Sequence, residues 1–208
     1  MKNEKNENKE IIKIILLGDC STGKTSLINV FEGLEFTENM ISTIGCQYCS
    51  KEKKINKQTY IINVWDTAGQ EKFQSLNSLF IKGSNIVIFV YDVTCRKSFT
   101  NLSDFWVDYV EKLIGKDIIR GIVGNKIDLF EQMEVNKKEG EKYANEIEAF
   151  FKETSAKEDP KGFLDFLNEL IEEYVAKYNN SSQNQNSSFQ IKNLKKEKNK
   201  EKSGEKCC

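Results

Sequence analysis

The chain has 208 residues, of which 38% are hydrophobic, and carries a formal net charge of −1 with no histidine. This length suffices for one domain with a substantial core. The near-neutral charge does not suggest a nucleic-acid-binding protein, and the absence of histidine excludes imidazole chemistry. No segment has the length of a transmembrane helix and no signal peptide is recognisable, so we expect a cytosolic chain whose six cysteines stay reduced.

The two ends of the chain differ from its middle. Residues 1–10 are Asn-rich and of mixed charge, and we expect them to be disordered. Residues 179–208 contain seven lysines and three glutamates, which gives the tail +4 and leaves −5 on the rest of the chain. Basic residues near an anionic membrane surface contribute about 1 kcal/mol each. The composition therefore predicts a disordered tail attracted to membranes, behind a folded domain at 11–178.

The first predicted strand leads into a glycine-rich loop. The apolar run Ile11–Leu17 is followed by Gly18–Thr25, which spells G-x-x-x-x-G-K-T, and by a helical pattern at Lys24–Phe31. A strand, this loop and a helix N-terminus together form a phosphate-binding site in which backbone N–H groups surround the anion. A chance glycine-rich turn is the alternative, and the strand-to-helix context disfavours it.

Each residue type in this loop suits a phosphate ligand. The glycines let the backbone approach closely, the Lys24 ammonium faces the β- and γ-phosphates, and the Thr25 hydroxyl ligates Mg²⁺. We expect Lys24 to take part in catalysis as well as binding. The predicted contacts from this region are Asp19, Cys20, Ser21, Thr22, Gly23, Lys24, Thr25 and Ser26.

The next two strands form a predicted hairpin. Cys46–Lys54 alternates and indicates an edge strand, which turns near residues 56–57 into the apolar strand Tyr60–Trp65. Cys46 and Cys49 spell C-x-x-C, but residues i and i+3 of a strand face opposite sides, and no second pair or histidine accompanies them. We therefore expect structural cysteines and not a zinc or redox site.

Three residues after this strand suit the phosphate end of a nucleotide. Asp66 ends the strand at the edge where the loop lies, so its carboxylate can hold the magnesium shell. Gly69 permits close approach to a terminal phosphate, and Gln70 can orient a water for attack although it is a weak base. A turn carboxylate and a surface glutamine are the alternatives, and the upstream loop makes the catalytic interpretation stronger.

The rest of the domain alternates strands with helices. This alternation predicts an α/β fold, a P-loop doubly wound six-stranded sheet, mostly parallel, with one antiparallel edge strand and helices on both faces. Asp159 can cap the last helix. The remaining predicted strands are Ile86–Tyr91, Ile118–Val123 and Phe150–Glu153, and the remaining helices are Lys97–Ile114, Asn136–Glu148 and Pro160–Tyr178.

Two further tracts suit a guanine base. Asn125-Lys126-Ile127-Asp128 follows one predicted strand, and an aspartate can accept both N1–H and the exocyclic amine of guanine, whereas adenine presents the wrong pattern. Ser155-Ala156-Lys157 follows the next strand and can supply a backbone N–H to the guanine carbonyl oxygen. Ordinary loop ends are the alternative, since Asn and Asp favour turns. The position after successive strands favours a base site over that alternative.

These motifs, in this order, resemble those of the small GTPases of the Ras superfamily, and most those of the Rab family. The resemblance covers residues 11–178. The YDVT tract at Tyr91–Thr94 and the terminal Cys207-Cys208 favour Rab over Ras or Rho. The matching stretches read GDCSTGKTS, ISTIGCQY, WDTAGQEKF, GNKIDL and ETSAK.

The resemblance implies further roles. Thr43 would ligate Mg²⁺ and sense the γ-phosphate, and Phe36 would pack on the guanine ring. Cys207 and Cys208 would carry prenyl groups, and two lipids are what stable anchoring needs. An aromatic triad would bind effectors: Tyr48, Trp65 and Phe80.

The implied function is a monomeric switch that hydrolyses GTP to GDP and phosphate and regulates vesicle-mediated transport. It would act at the cytoplasmic face of an endomembrane and cycle with the cytosol. Implied partners are an exchange factor, a GTPase-activating protein, a GDP-dissociation inhibitor, a prenyltransferase with its escort protein, and effectors of the GTP form. Because neither arginine falls in a motif, we expect slow intrinsic turnover.

The sequence leaves two alternatives to a GTP-hydrolysing switch. Cys20 and Ser21 depart from the Rab pattern near the γ-phosphate, which leaves room for a GTP-bound interaction module with negligible hydrolysis. An ATP-driven enzyme is a third possibility, which Asn125 and Asp128 disfavour.

Overall fold

The computed structural model describes residues 9–38, 43, 46–67 and 74–178, with the backbone alone at 74–77. Among these residues, six strands form one sheet in the order β2-β3-β1-β4-β5-β6. All neighbouring strands are parallel except β2 and β3. This confirms the predicted sheet. The strands are β1 Glu10–Leu17, β2 Cys46–Ile55, β3 Gln58–Thr67, β4 Ile86–Asp92, β5 Ile119–Asn125 and β6 Phe150–Glu153.

The central strands are buried on both faces. Every residue of β4 and β5 is buried, as expected for parallel strands covered by helices on either side. Adjacent residues of β5 show the two layers. A Cβ at Gly121 would lie 2.9 Å from Leu170 on one face, whereas Ile122 belongs to a core cluster with Trp106 and Val110 on the other. The missing side chain at Gly121 lets the last helix pack closely.

The helices match the sequence-based prediction except in three places. The predicted continuous helix Lys97–Ile114 is three segments, because a π-helical stretch lies in its middle. The helix at Gln74–Ile81 and the 3₁₀ turn at Ile127–Gln132 were not predicted. The helices are α1 Lys24–Glu32, α2 Gln74–Ile81, α3 Arg96–Asn101, the π segment Leu102–Trp106, α4 Val107–Ile114, α5 Lys137–Glu146 and α6 at residues 160–178.

Side-chain caps fix where α5 and α6 begin. Asn136 and Glu139 form a reciprocal capping box at the start of α5. The Asp159 carboxylate accepts a hydrogen bond from the Gly162 amide at 3.0 Å, which confirms the predicted cap of α6. Residues up to Ile171 form one compact unit, and a second begins at Glu172, of which 172–178 are described. Within the described ranges, no helix is both long and apolar enough to span a bilayer.

Candidate functional site

One cavity lies at the carboxyl edge of the sheet, where the parallel strands end. Its volume is about 410 Å³, within the usual range for small-molecule sites. The loops after β1, β5 and β6 meet there with the end of β3. The lining residues are Cys20, Ser21, Gly23, Lys24, Thr25, Ser26, Phe36, Thr37, Glu38, Thr43, Thr67, Asn125, Lys126, Asp128, Leu129, Ala156 and Lys157.

Two glycines give the loop after β1 its path. Gly18 has φ +143°, and a Cβ there would lie 2.1 Å from the Val90 carbonyl oxygen. Gly23 has φ +91°, and a Cβ there would lie 2.2 Å from Asn125 Nδ2. Both positions combine a left-handed conformation with a close approach that leaves no room for a side chain. The loop therefore passes tightly against β4 and the base-end residue Asn125.

Lys24 holds this loop closed from inside. Its Nζ donates to the Gly18 carbonyl at 2.9 Å and the Asp19 carbonyl at 2.7 Å. Burial lowers the pKa of Lys24 to about 8, although the negative charge of Asp66 opposes the shift. An ammonium group thus lies at the first turn of α1, where the helix dipole also favours an anion.

Three oxygen-bearing side chains meet beside Lys24. The Asp66 Oδ2 atom accepts hydrogen bonds from Thr25 Oγ1 at 2.6 Å and Thr43 Oγ1 at 3.0 Å, and the two hydroxyl oxygens are 2.8 Å apart. The Asp66 Oδ1 atom is buried without a hydrogen-bond partner among the described residues. Burial raises the pKa of Asp66, and the two threonine hydrogen bonds oppose that shift.

This donor set suits a small, hard cation. Oxygen ligands from hydroxyls and one carboxylate are what Mg²⁺ takes when a bound phosphate supplies the rest. The described part of the chain contains no cluster of three or more His, Cys, Asp or Glu side chains that could hold a metal by itself. The unpartnered Asp66 oxygen and the adjacent hydroxyls therefore fit magnesium that arrives with a nucleotide.

At the other end of the cavity, Asn125 joins two loops. Its Nδ2 donates to the Thr22 carbonyl at 2.9 Å, and its Oδ1 accepts from the Ala156 amide at 3.2 Å. Asp128 is oriented by Ser155, whose Oγ donates to Asp128 Oδ1 at 2.5 Å. The asparagine thus ties the phosphate end to the loop after β6, and the aspartate is held at the cavity wall.

Comparison with known proteins decides the family. The Ras family profile matches residues 13–176. Ras-related protein Rab-30 of Homo sapiens is 37% identical over 166 residues, covering 78% of this chain and 81% of the relative. Ras-related protein Rab-1 of Theileria parva is 37% identical over 149 residues, covering 72% of this chain and 68% of the relative.

The chain belongs to the Ras family. Within that family it is a Rab-type small GTPase, and small GTPases of this type bind guanine nucleotides, hydrolyse GTP and act in membrane trafficking.

Most predicted nucleotide contacts of this GTPase line the cavity, but some do not. Asp19, Thr22, Asp66 and Ser155 are not among the lining residues, and of these Thr22, Asp66 and Ser155 are each only 1% exposed. Gly69 and the predicted catalytic Gln70 lie outside the described residues.

Two residues frame the base end of the cavity at its rim. The Lys157 Nζ lies 6.0 Å from the centre of the Phe36 ring and forms an ion pair with Glu38 at 3.0 Å. Phe36 is 38% exposed, so its ring presents an open face. The two side chains can enclose a planar base between them.

Asp92 is a supporting residue that sequence reasoning missed. Its Oδ2 forms an ion pair with Lys126 Nζ at 2.5 Å, and its Oδ1 accepts from the Thr94 amide at 2.9 Å. Lys126 has φ 70°, a left-handed conformation that this ion pair helps to hold. The sequence feature that could have indicated Asp92 is its position at the end of β4, next to the β5 tract that carries Asn125.

The predicted effector triad is one aromatic cluster in this GTPase. Tyr48 and Trp65 are directly opposite across β2 and β3 and stack with ring centres 4.8 Å apart. Phe80 lies 5.8 Å from Trp65. Tyr48 is 55% exposed, so the cluster reaches the surface.

Cys46 and Cys49 have the properties of structural thiols. Burial raises the pKa of Cys46 to about 12 and that of Cys49 to about 11, so both stay protonated and unreactive near neutral pH. Both are free thiols.

Proposed function

We propose that this Rab-type chain is a switch that binds GTP or GDP with Mg²⁺ in the 410 Å³ cavity and hydrolyses GTP to GDP and phosphate. We propose that it regulates vesicle-mediated transport through these two states. The observation that supports this most strongly is that three groups meet at one cavity. They are the loop that Lys24 holds closed, the hydrogen-bonded side chains of Thr25, Thr43 and Asp66, and the Asp128 carboxylate that Ser155 orients.

Each group of residues has a separate task in this proposal. The loop amides and the Lys24 ammonium bind the phosphates. Thr25, Thr43 and Asp66 hold the magnesium ion, which when bound offsets the phosphate charge. Asn125 fixes the distance between the phosphate and base ends, and Asp128 accepts from the guanine edge. Loss of the γ-phosphate releases Thr43 and so changes the surface of the segment around it.

Hydrolysis would be slow without a partner. Gln70 would orient the attacking water. Lys24 supplies a positive charge to the phosphates, but neither arginine of the chain supplies a second one. Arg120 pairs with Glu111 at 2.8 Å and Arg96 pairs with Glu139, and neither lines the cavity. An activating protein that supplies an arginine accelerates related enzymes by about 10⁵-fold. We propose such a partner here, and an exchange factor for GDP release.

Membrane attachment would come from the C-terminal end. We propose prenylation of Cys207 and Cys208, which lie outside the described residues, and cycling between endomembrane and cytosol with a GDP-dissociation inhibitor. Effectors would bind the aromatic cluster of Tyr48, Trp65 and Phe80. Replacing both terminal cysteines with serine should make the protein cytosolic, and persistence of that variant on membranes would contradict this part.

Base recognition has a sharp test. Asp128→Asn replaces an acceptor with a donor, so the variant should lose GDP and gain xanthosine diphosphate, whose base carries a carbonyl in place of the exocyclic amine. Asp165→Asn, on the surface of α6, is the matched control. If Asp128→Asn binds both GDP and xanthosine diphosphate more weakly than the control does, Asp128 serves folding and not base selection.

Single-turnover hydrolysis separates the switch from the interaction module. Bound GTP should release phosphate slowly, and faster when an activating protein is added. Absence of release in both conditions would leave a GTP-bound module as the better description. The family identification favours the hydrolase.

A further inference from the structure

A second cavity lies behind the phosphate loop. Its volume is about 430 Å³, and it is lined by residues 19–22 on one side and by residues of α3 and the π segment on the other. On this side the loop is therefore not packed against a continuous core. The position of residues 19–22 on this side therefore depends on individual contacts with the opposite wall of the cavity.

The Asp19 carboxylate makes that connection. Its Oδ1 accepts a hydrogen bond from Trp106 Nε1 at 2.9 Å, and its Oδ2 accepts one from Asn101 Nδ2 at 2.5 Å. Trp106 is 2% exposed and belongs to the hydrophobic core, so one of the two donors is rigidly held. Hydrogen bonds to an ionised acceptor are stronger than neutral ones.

The π segment is what allows both donors to reach one carboxylate. Asn101 and Trp106 are five positions apart, and in a regular α-helix such residues point about 140° away from each other. In a π-helical turn, with i→i+5 bonding and about 4.4 residues per turn, residues i and i+5 point only about 50° apart. The interruption of the helix at Leu102–Trp106 thus has a specific geometric result.

Asp19 also links this connection to the phosphate site. Its backbone carbonyl accepts from Lys24 Nζ at 2.7 Å and from Thr22 Oγ1 at 3.1 Å. A shift of Asp19 would therefore move the group that holds the lysine ammonium.

We propose that Asn101 and Trp106 are positioning residues for the phosphate loop, acting through Asp19. The π segment brings them together for this purpose. The inference rests on the proposed nucleotide site and extends it to residues that contact no ligand.

Reversing the polarity of one hydrogen bond tests the inference. Asn101→Asp places two carboxylates against each other and should accelerate GDP dissociation at least about fivefold in Mg²⁺ buffer. The double variant Asp19→Asn/Asn101→Asp restores a donor–acceptor pair, and its new amide oxygen still accepts from Trp106. Its dissociation rate should return to within about twofold of wild type. Trp106→Phe keeps an aromatic ring but removes the donor, and should accelerate release as well.

The control is Ser103→Ala, on the exposed side of the same π segment, which should leave GDP release unchanged. A purely structural role would lower the melting temperature of Asn101→Asp without changing GDP release, and that result would overturn the inference. Failure of the double variant to restore the rate would overturn it too. Failure of the proposed function is distinguishable, because wild-type protein would then retain no GDP at all.

Discussion

Asn125→Ala is the substitution that should separate the two ends of the nucleotide site. It removes the hydrogen bonds from Asn125 to the Thr22 carbonyl and from the Ala156 amide to Asn125, at 2.9 and 3.2 Å. Asn125 is 1% exposed, so water does not readily replace them. Each lost bond costs about 1 kcal/mol, and each buried group left unpaired adds up to about 2 kcal/mol.

Together these terms give about 2–6 kcal/mol, which corresponds to a loss of about 30-fold to 20,000-fold in affinity for GDP. Displacement of a fluorescent GDP analogue measures the affinity, and thermal unfolding measures how much of the cost falls on the fold. Asn136→Ala is the matched control, because it removes the capping box of α5 and should cost about 1 kcal/mol of stability while leaving GDP affinity unchanged. An Asn125→Ala protein within threefold of wild-type GDP affinity would refute the reasoning.

Three further changes have defined outcomes. Gly18→Ala places a Cβ 2.1 Å from the Val90 carbonyl oxygen and should lower the free energy of unfolding by at least about 2 kcal/mol, measured by urea denaturation; an unchanged midpoint would contradict the described loop path. Ser21→Gly relieves a left-handed serine at φ 62° and should slow GDP release by up to about fivefold, whereas faster release would show that the hydroxyl binds the nucleotide. Removal of magnesium with EDTA should accelerate GDP release from wild type, and Asp66→Ala should reduce that acceleration; equal acceleration in both would place the metal elsewhere.

The fold was largely predictable because its strands are apolar runs closed by functional motifs. The run Ile86–Tyr91 shows no period because both its faces are covered, and its length and β-branched residues still indicate a strand. The π segment was not predictable, because the apolar spacing of Lys97–Ile114 fits one regular helix. Its interruption accompanies the contact of Trp106 with Asp19, and these two residues are distant in sequence.

The motifs predicted most of the residues that line the cavity, but not the direction of every side chain. The loop motif assigned Asp19 to the nucleotide because of its position in the sequence. The structure turns its carboxylate away from the cavity toward Asn101 and Trp106. The role of Asp92 was not predicted, because an aspartate at the end of a strand is equally common in a turn, and the sequence does not show its ion pair with Lys126.

The central claim is that one cavity binds the phosphates, the metal and a guanine base together. Equilibrium competition between GTP and ATP for the purified chain in Mg²⁺ buffer tests it most directly. The account predicts that GTP binds at least about 10⁴-fold more tightly than ATP, because adenine would leave Asp128 unpaired. Comparable affinities for the two nucleotides, or no retention of any guanosine nucleotide, would contradict it.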